Sequence, residues 1–504
     1  MATIRRRAQG QVLSRRGVIR LLAGSGCATL GLLLAACGST STPSSQTATS
    51  ARASVSTTAP ASSTKAAAPV ASQPATVTWF VRSSPVENPW EQKVAIPEFE
   101  KLHPNIKIKL IINPGTAWNT KILAMYAGGT PPDVHNGIVG TFIQLYAENK
   151  VTELTPYIQR DKFDLAPFGP LAEAPDMCRS GKQWELPILT VQGCPVFYNM
   201  DLFDEAGIPY PPTDWSDKNW TIDKMLGYAQ KMTKNWGQPN ATYGLLGRGG
   251  FCSWAYIWGG DPWSKSFYEH GIAQKSNYAS QNVVDAMQFS QDLIWKYHVS
   301  PRPEDVTGMN QLGDPFKTGK IAMRWDGGWD YWNFPGITAF KWGVAAGPWK
   351  KTNKSLDYTD GVMISGLTKV PAASWELVKY LVGREGQLSY IRATHTPPTR
   401  EDNLDAWVNF TLPQTGMKSK SALKQVAIGY RKNFMPEWAH YTIGAGQYQT
   451  IETQELSVLN GNKATAASLM PQVQQRMDAT LKTIYNQYKS TRLSSDSICM
   501  KLSF

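Results

Sequence analysis

Val77-Thr78-Trp79-Phe80-Val81 is a short apolar run, and Ile106-Lys107-Ile108-Lys109-Leu110 alternates apolar with basic residues. The first suits a buried strand and the second a strand with one wet face. Between them Trp90, Val94, Phe99 and Leu102 recur at roughly helical spacing, and His103-Pro104-Asn105 stops the run. Strand, helix and strand in that order predict a β-α-β unit, a parallel sheet and an α/β fold. A second helix is expected from about Trp118 to Ala127, closed by Gly128-Gly129. Thr130-Pro131-Pro132-Asp133-Val134 then leads into a third strand.

Ligands of such sheets sit beyond the carboxyl ends of the strands. The loops after Val81 and Val134 therefore face one crevice. They offer Ser83, Ser84, Asn88 and Trp90 on one side and His135, Asn136 and Gly137 on the other, and Trp118 opens a helix on the same rim.

The chain has 504 residues, too many for one typical core, so two lobes are expected. Its net charge of +12 is partly a product of the N-terminus, where the first 36 residues hold six Arg and no acid. Without them 45 basic residues face 39 acidic ones, a net +6. No basic stripe with interleaved aromatics is visible, so no nucleic-acid partner is expected. The 19 Trp residues stand out, and they suit either a large core or flat rings kept for ligand stacking.

Arg5, Arg6, Arg7, Arg15, Arg16 and Arg20 form a basic region ahead of an apolar stretch from Val18 to Ala36, so residues 1–36 read as an export signal. Leu34-Ala35-Ala36-Cys37-Gly38 resembles the bacterial lipobox, which implies a diacylglyceryl group on Cys37 and cleavage before it. A single N-terminal membrane anchor is the alternative. Ser14-Arg15-Arg16-Gly17-Val18-Ile19 also resembles a twin-arginine signal, with a plain secretory signal as the other option. Residues 37–75 carry the lipidated cysteine and a Ser/Thr/Ala/Pro tether with almost no large apolar residue, too little to offset the entropy of ordering it. Of the later cysteines, Cys178 and Cys194 flank an expected hairpin and are the favoured disulfide. Pairing with Cys252, or buried free thiols, are the alternatives. No Cys/His spacing suggests zinc, and no metal or cofactor is expected.

Four further stretches carry a family resemblance. Phe99-Glu100-Lys101-Leu102-His103-Pro104-Asn105-Ile106-Lys107-Ile108 forms a helix-to-strand turn, and Gly128-Gly129-Thr130-Pro131-Pro132-Asp133-Val134 follows. Phe197-Tyr198-Asn199-Met200-Asp201-Leu202-Phe203 runs on to Pro209, and Phe316-Lys317-Thr318-Gly319-Lys320-Ile321-Ala322-Met323 ends in Gly328-Trp329. In this order, behind a lipobox, they resemble the extracellular solute-binding proteins of ABC importers, family 1, the sugar-binding group that includes maltose-binding protein. The resemblance spans roughly 76–490. It implies a periplasmic-binding-protein-like fold: two α/β lobes joined by three hinge crossings, with the ligand cleft between them. The crossings fall near 186–196, 357–362 and 430–437. Lobe one is then 76–190 plus 361–430 and lobe two 191–358 plus 436–490, with 491–504 as a mobile tail. The resemblance also implies a carbohydrate ligand, ABC permease partners, a membrane contact through the lipid anchor, and a monomer outside the cytoplasm.

Within this frame Trp329 is the strongest ligand candidate, because the family's tryptophan at this place stacks on sugar and an indole face suits the C–H face of a pyranose. Trp332 comes second, and Trp325 reads as core. Trp254 and Trp258 share a helical face ahead of Gly259-Gly260, as either ligand aromatics or a buried stripe. Asp360 and Gly361 enter the cleft at the second crossing, where a carboxylate can accept from two vicinal hydroxyls. Asp133 is weighed between ligand and turn cap, and Tyr198 between ligand and structure. An exported carbohydrate-active enzyme is the contrasting class, but no recognisable carboxylate pair, Gly-x-Ser-x-Gly or His-Glu-x-x-His is present, so no catalysis is expected. A phosphorylated polyol or a peptide is the alternative ligand, with Arg82 or Arg324 to receive a phosphate.

Overall fold

The computed structural model describes residues 73–113, 118–137, 140–247, 251–440 and 442–502. They belong to one compact unit. The export signal, Cys37 and the tether up to residue 72 lie outside the described residues.

Strands β1 (Ala75–Arg82) and β2 (Ile106–Asn113) pair in parallel across their full length, as the opening pattern predicts. The crossover is helical from Glu87 to Leu102, with a wider π turn at Glu91–Ala95. Two of its four periodic apolar positions are buried, Phe99 entirely and Trp90 between the rings of Trp79 and Tyr390, while Val94 is half-buried and Leu102 is exposed. Trp90 is therefore core and not a crevice residue. The indole is spent on packing, and its N–H donates to Ser389 Oγ at 3.0 Å. In β2, Ile106 is buried while Lys107 and Lys109 are exposed, as the alternation predicts for an edge strand.

The remaining strands are β3 (Val134–Asn136), β4 (Cys178–Arg179), β5 (Lys182–Gln183), β6 (Leu186–Gln192), β7 (Val196–Asn199), β8 (Tyr243–Gly247), β9 (Ile321–Trp325), β10 (Trp342–Ala345), β11 (Ser355–Ile364) and β12 (Phe434–Pro436). The first sheet runs β12-β11-β3-β1-β2, with β6 on the other side of β11. The second runs β10-β7-β9-β8. The chain leaves the first sheet after β6 and enters the second at β7, with Gly193, Cys194 and Pro195 between. It returns from β10 to β11, and leaves again after β12 for the helices Ala445–Asn460 and Ala466–Tyr488. These two α/β halves are the two lobes.

Two cysteine expectations need correcting. Cys178 is bonded to Cys499, not to Cys194, and Cys194 is a buried thiol. Strand β6 lies between Cys178 and Cys194, and seven extended residues advance about 23 Å, whereas the bonded Cα atoms are 5.5 Å apart. The side chain of Cys252 lies outside the described residues. Nor are the described residues of 491–504 a loose tail: Leu493 and Met500 are buried, and Ser497, Ile498 and Cys499 pair along 178–180.

Candidate functional site

The carboxyl end of β1 carries Arg82, whose guanidinium grips Glu87 at 2.6 Å (Nε–Oε2) and 2.8 Å (Nη2–Oε1). Its Nη1 lies 2.7 Å from Oδ2 of Asp360 in β11. Tyr390 donates to Glu87 Oε1 at 2.8 Å, and His440 Nε2 lies 3.8 Å from Asp360 Oδ1. His440 is fixed by its Nδ1, 3.0 Å from the Thr359 carbonyl. Burial works against the charge of Arg82, but Glu87 and Asp360 outweigh it and hold the guanidinium charged. Glu87, buried too, is kept below the usual carboxylate range by Arg82. Burial pushes the His440 imidazole down despite Asp360.

The β6–β11 register shifts between Asp360 and Gly361, opposite Leu189 and Pro187, so Ile188 is the extra residue, a bulge on β6 beside Asp360. Gly361 also allows a close approach: a Cβ there would stand 2.5 Å from Glu185 Oε2, and one on Gly137 would stand 1.8 Å from Glu185 Oε1. Glu185 is fully buried between these glycines, and neither carboxyl oxygen meets a hydrogen-bond donor among the described residues. Burial pushes its pKa well up, and Asp176 and Asp360 add to the shift. Burial likewise pushes Asp176 up to about 7.

The second lobe reaches this region through the loop after β9. Gly328 donates its N–H to the Gln192 carbonyl at the end of β6 at 2.7 Å, and Gln192 Nε2 donates to Tyr331 Oη at 3.3 Å. Tyr331 packs edge-on against Trp407 of the helix Leu404–Thr411. Trp329 folds over Gly327, meets Tyr358 of β11 edge-on at 5.1 Å, and stays half-buried, as does Trp332. Trp325 is core, as expected, with its N–H on the Cys194 carbonyl at 2.9 Å.

The expected site residues thus divide. Asp360, Gly361 and Asn136 stand on the strands where the lobes meet and Trp329 beside them, and Trp332 follows one turn on, its N–H donating to the Trp329 carbonyl. Ser83 is exposed at the end of β1, while Ser84 Oγ accepts the N–H groups of Val86 and Glu87 and so caps the first turn of the crossover. Trp118 is buried against Phe80. Three readings left open between ligand and structure fall on the structural side. Asp133 precedes β3, at the amino end of a strand parallel to β1, so it faces away from the crevice; it accepts from Thr78 and Thr368. Tyr198 packs on Phe203 and Tyr210 within the second lobe. Trp254 and Trp258 form a buried stripe with Phe289, and Trp254 also meets Trp325 at 4.1 Å. The sequence reading missed Glu87, Glu185, Gln192 and His440. A carboxylate five residues after Arg82 was a local signal for the first; the other three are assembled only by the fold.

Two α/β lobes with a polar network at their junction define a two-lobed solute-binding fold. Residues 83–388 match the family model described as bacterial extracellular solute-binding protein. That is more than half of the chain, and the chain belongs to this family, whose members act outside the cytoplasm. A protein of Brucella abortus (strain 2308), provisionally named a binding protein, is 24% identical over 337 residues, covering 62% of this chain and 73% of that protein. Among solved structures, the ABC substrate-binding protein Lmo0181 of Listeria monocytogenes, in complex with cycloalternan, superposes with a TM-score of 0.66 at 20% identity over 81% of this chain and 99% of that one. The sugar-binding protein MalE of Xanthomonas citri gives 0.65 at 18% identity, over 82% and 99%. Maltose-bound MalE3 of T. maritima gives 0.61 at 19%, over 81% and 100%.

Proposed function

We propose that the chain is a lipid-anchored binding protein that captures a carbohydrate between its lobes and delivers it to the permease of an ABC importer. The observation that carries this reading is the half-buried Trp329, set by the Gly328–Gln192 bond beside β11 and within the reach of both lobes. A flat indole face and neighbouring hydrogen-bonding groups suit a sugar ring. The first lobe brings Arg82, Asn136 and Asp360 to the junction, and the second brings Trp329 and Trp332. A ligand touching both lobes favours the closed form, because only differential affinity shifts the population.

A phosphorylated ligand fits less well. Arg82 is shared by Glu87 and Asp360, and Arg324 by Asp314, Asp326 and Asp330 at 2.7–2.9 Å. Both guanidinium groups are already met by carboxylates, so a neutral polyol costs less to admit than an anion.

A thermal-shift screen of mono- and oligosaccharides tests the reading, since a ligand of the native state alone raises Tm. At least one carbohydrate should raise it in a concentration-dependent way. Stabilisation by peptides or phosphorylated polyols alone overturns the carbohydrate assignment.

A further inference from the structure

The helix Ala466–Tyr488 belongs to the second lobe. Ala466 N–H donates to Gln288 of the helix Gln281–Trp295, and Asp478 accepts from Ser276 N–H and Oγ at 2.7 Å each. The chain then turns back onto the first lobe. Arg492, four residues past the helix, lies over the rings of Tyr146 and Trp184, 3.3 and 4.5 Å from their centroids. Its Nη1 donates to Asn149 Oδ1 at 2.9 Å. Asp496 accepts from the Tyr146 hydroxyl and, at 3.1 Å, from Ser180 Oγ. Ser180 N–H donates to the Ser497 carbonyl at 2.7 Å, Arg179 bridges to Ile498, and Cys499 closes the disulfide with Cys178.

Cys178 belongs to the first lobe. It opens the β4–β5 hairpin, which is tied to the rest of that lobe where Gln183 N–H donates to Thr155 Oγ1 at 2.9 Å and Leu154 N–H to the Gln183 carbonyl at 2.8 Å. The other side of the contact is again second lobe. His270 Nδ1 stands 3.0 Å from the Leu493 carbonyl, and Arg179 Nη2 donates to the Glu269 carbonyl at 2.8 Å.

From this we infer that residues 489–500 are a strap, a fourth connection between the lobes, locked covalently by Cys178–Cys499, that limits how far the lobes separate. The inference rests on the two-lobe binding reading above but adds a restraint that the three crossings do not contain. Four residues reach at most about 14 Å when extended, so the Arg492 clamp leaves little slack between the second-lobe helix and the first lobe. The disulfide acts behind the clamp. It keeps the far end of the strap on the hairpin, so a clamp that opens re-forms at high effective concentration. Reduction by a dithiol breaks the S–S bond; two electrons and two protons pass to the sulfurs as the dithiol becomes its own cyclic disulfide.

The test reads the ligand-free interlobe distance with fluorophores carried by non-canonical residues at Leu102 and Leu312, both highly exposed and one in each lobe. The mature protein is compared oxidised, reduced with dithiothreitol while circular dichroism shows it folded, and as Arg492→Ala with the disulfide intact. The expected result is a longer and broader distance distribution on reduction, with Arg492→Ala shifted in the same direction. Identical distributions in the oxidised and reduced protein overturn the strap, whatever Arg492→Ala does. Adding a saturating carbohydrate from the screen to the oxidised protein is a separate arm. If the distance does not shorten there, lobe closure fails, while the oxidised-against-reduced comparison still decides the strap.

Discussion

The guanidinium of Arg82 stands 2.7 Å from the carboxylate of Asp360, joining the end of β1 to the middle of β11. The same group also holds Glu87, so one cation serves two buried carboxylates. Arg82→Met leaves both acids without their cation. Loss of one partner from a buried pair costs about 3–5 kcal/mol; the partial exposure of Arg82 favours the lower end of that range. Asp360→Asn removes one acid and keeps the Arg82–Glu87 pair, so it should cost less. Urea unfolding of the two variants checks the order.

The two tryptophan positions should separate cleanly. Trp329 is half-buried, and Trp329→Ala should weaken carbohydrate binding by about 1–3 kcal/mol with little effect on folding. Trp254 is buried among Trp258, Phe289 and Trp325, and Trp254→Ala should cost about 3–5 kcal/mol of stability through the cavity it leaves. Paired titration calorimetry and chemical unfolding read both effects. The assignment fails if Trp329→Ala unfolds the protein while Trp254→Ala only weakens binding.

Several buried carboxyls hold their protons near neutrality, which gives stability a definite pH slope. Burial raises Asp176 and Asp261 to about 7 and Glu91 and Glu452 to about 8, and it raises Glu185 as well. In each case the folded state binds the proton more tightly than the unfolded chain. That contribution is full below the unfolded value near 4 and is lost as pH rises toward 7–8. Other groups act in the opposite sense, among them His135, which burial lowers to about 4, His440, which burial also lowers, and Glu87, where Arg82 outweighs burial, so acid removes their contribution. The urea midpoint should therefore be higher near pH 5.5 than near pH 8.5. Glu185→Gln, which keeps the shape but cannot ionise, should reduce that difference.

The anchor makes its own prediction. Cys37→Ala removes the thioether site of the lipobox, so the variant should accumulate unprocessed or leave the membrane fraction. Unchanged mobility and unchanged membrane fractionation would remove the lipoprotein reading.

Much of the frame was legible because it rests on local pattern. The Val77–Val81 run, the Trp90–Leu102 spacing and the Ile106–Leu110 alternation each report one periodicity, and the β-α-β unit follows. Strand direction could also have excluded Asp133, since a residue before a parallel strand lies at the end away from the crevice. Contacts between distant segments were not legible. Cys178 and Cys499 are 321 positions apart, and no periodicity links them. Glu185 meets Gly137 and Gly361 only once β3, β6 and β11 converge. The tryptophans were ambiguous for a chemical reason: the flat apolar face that would bind a sugar also packs a core, as Trp90, Trp254 and Trp258 do.

Small-angle scattering of the mature protein, with and without a saturating carbohydrate from the thermal-shift screen, tests capture between closing lobes most directly. The account predicts a smaller radius of gyration with the sugar, and loss of that compaction at the same sugar concentration in Trp329→Ala. A radius unchanged at saturation would contradict it.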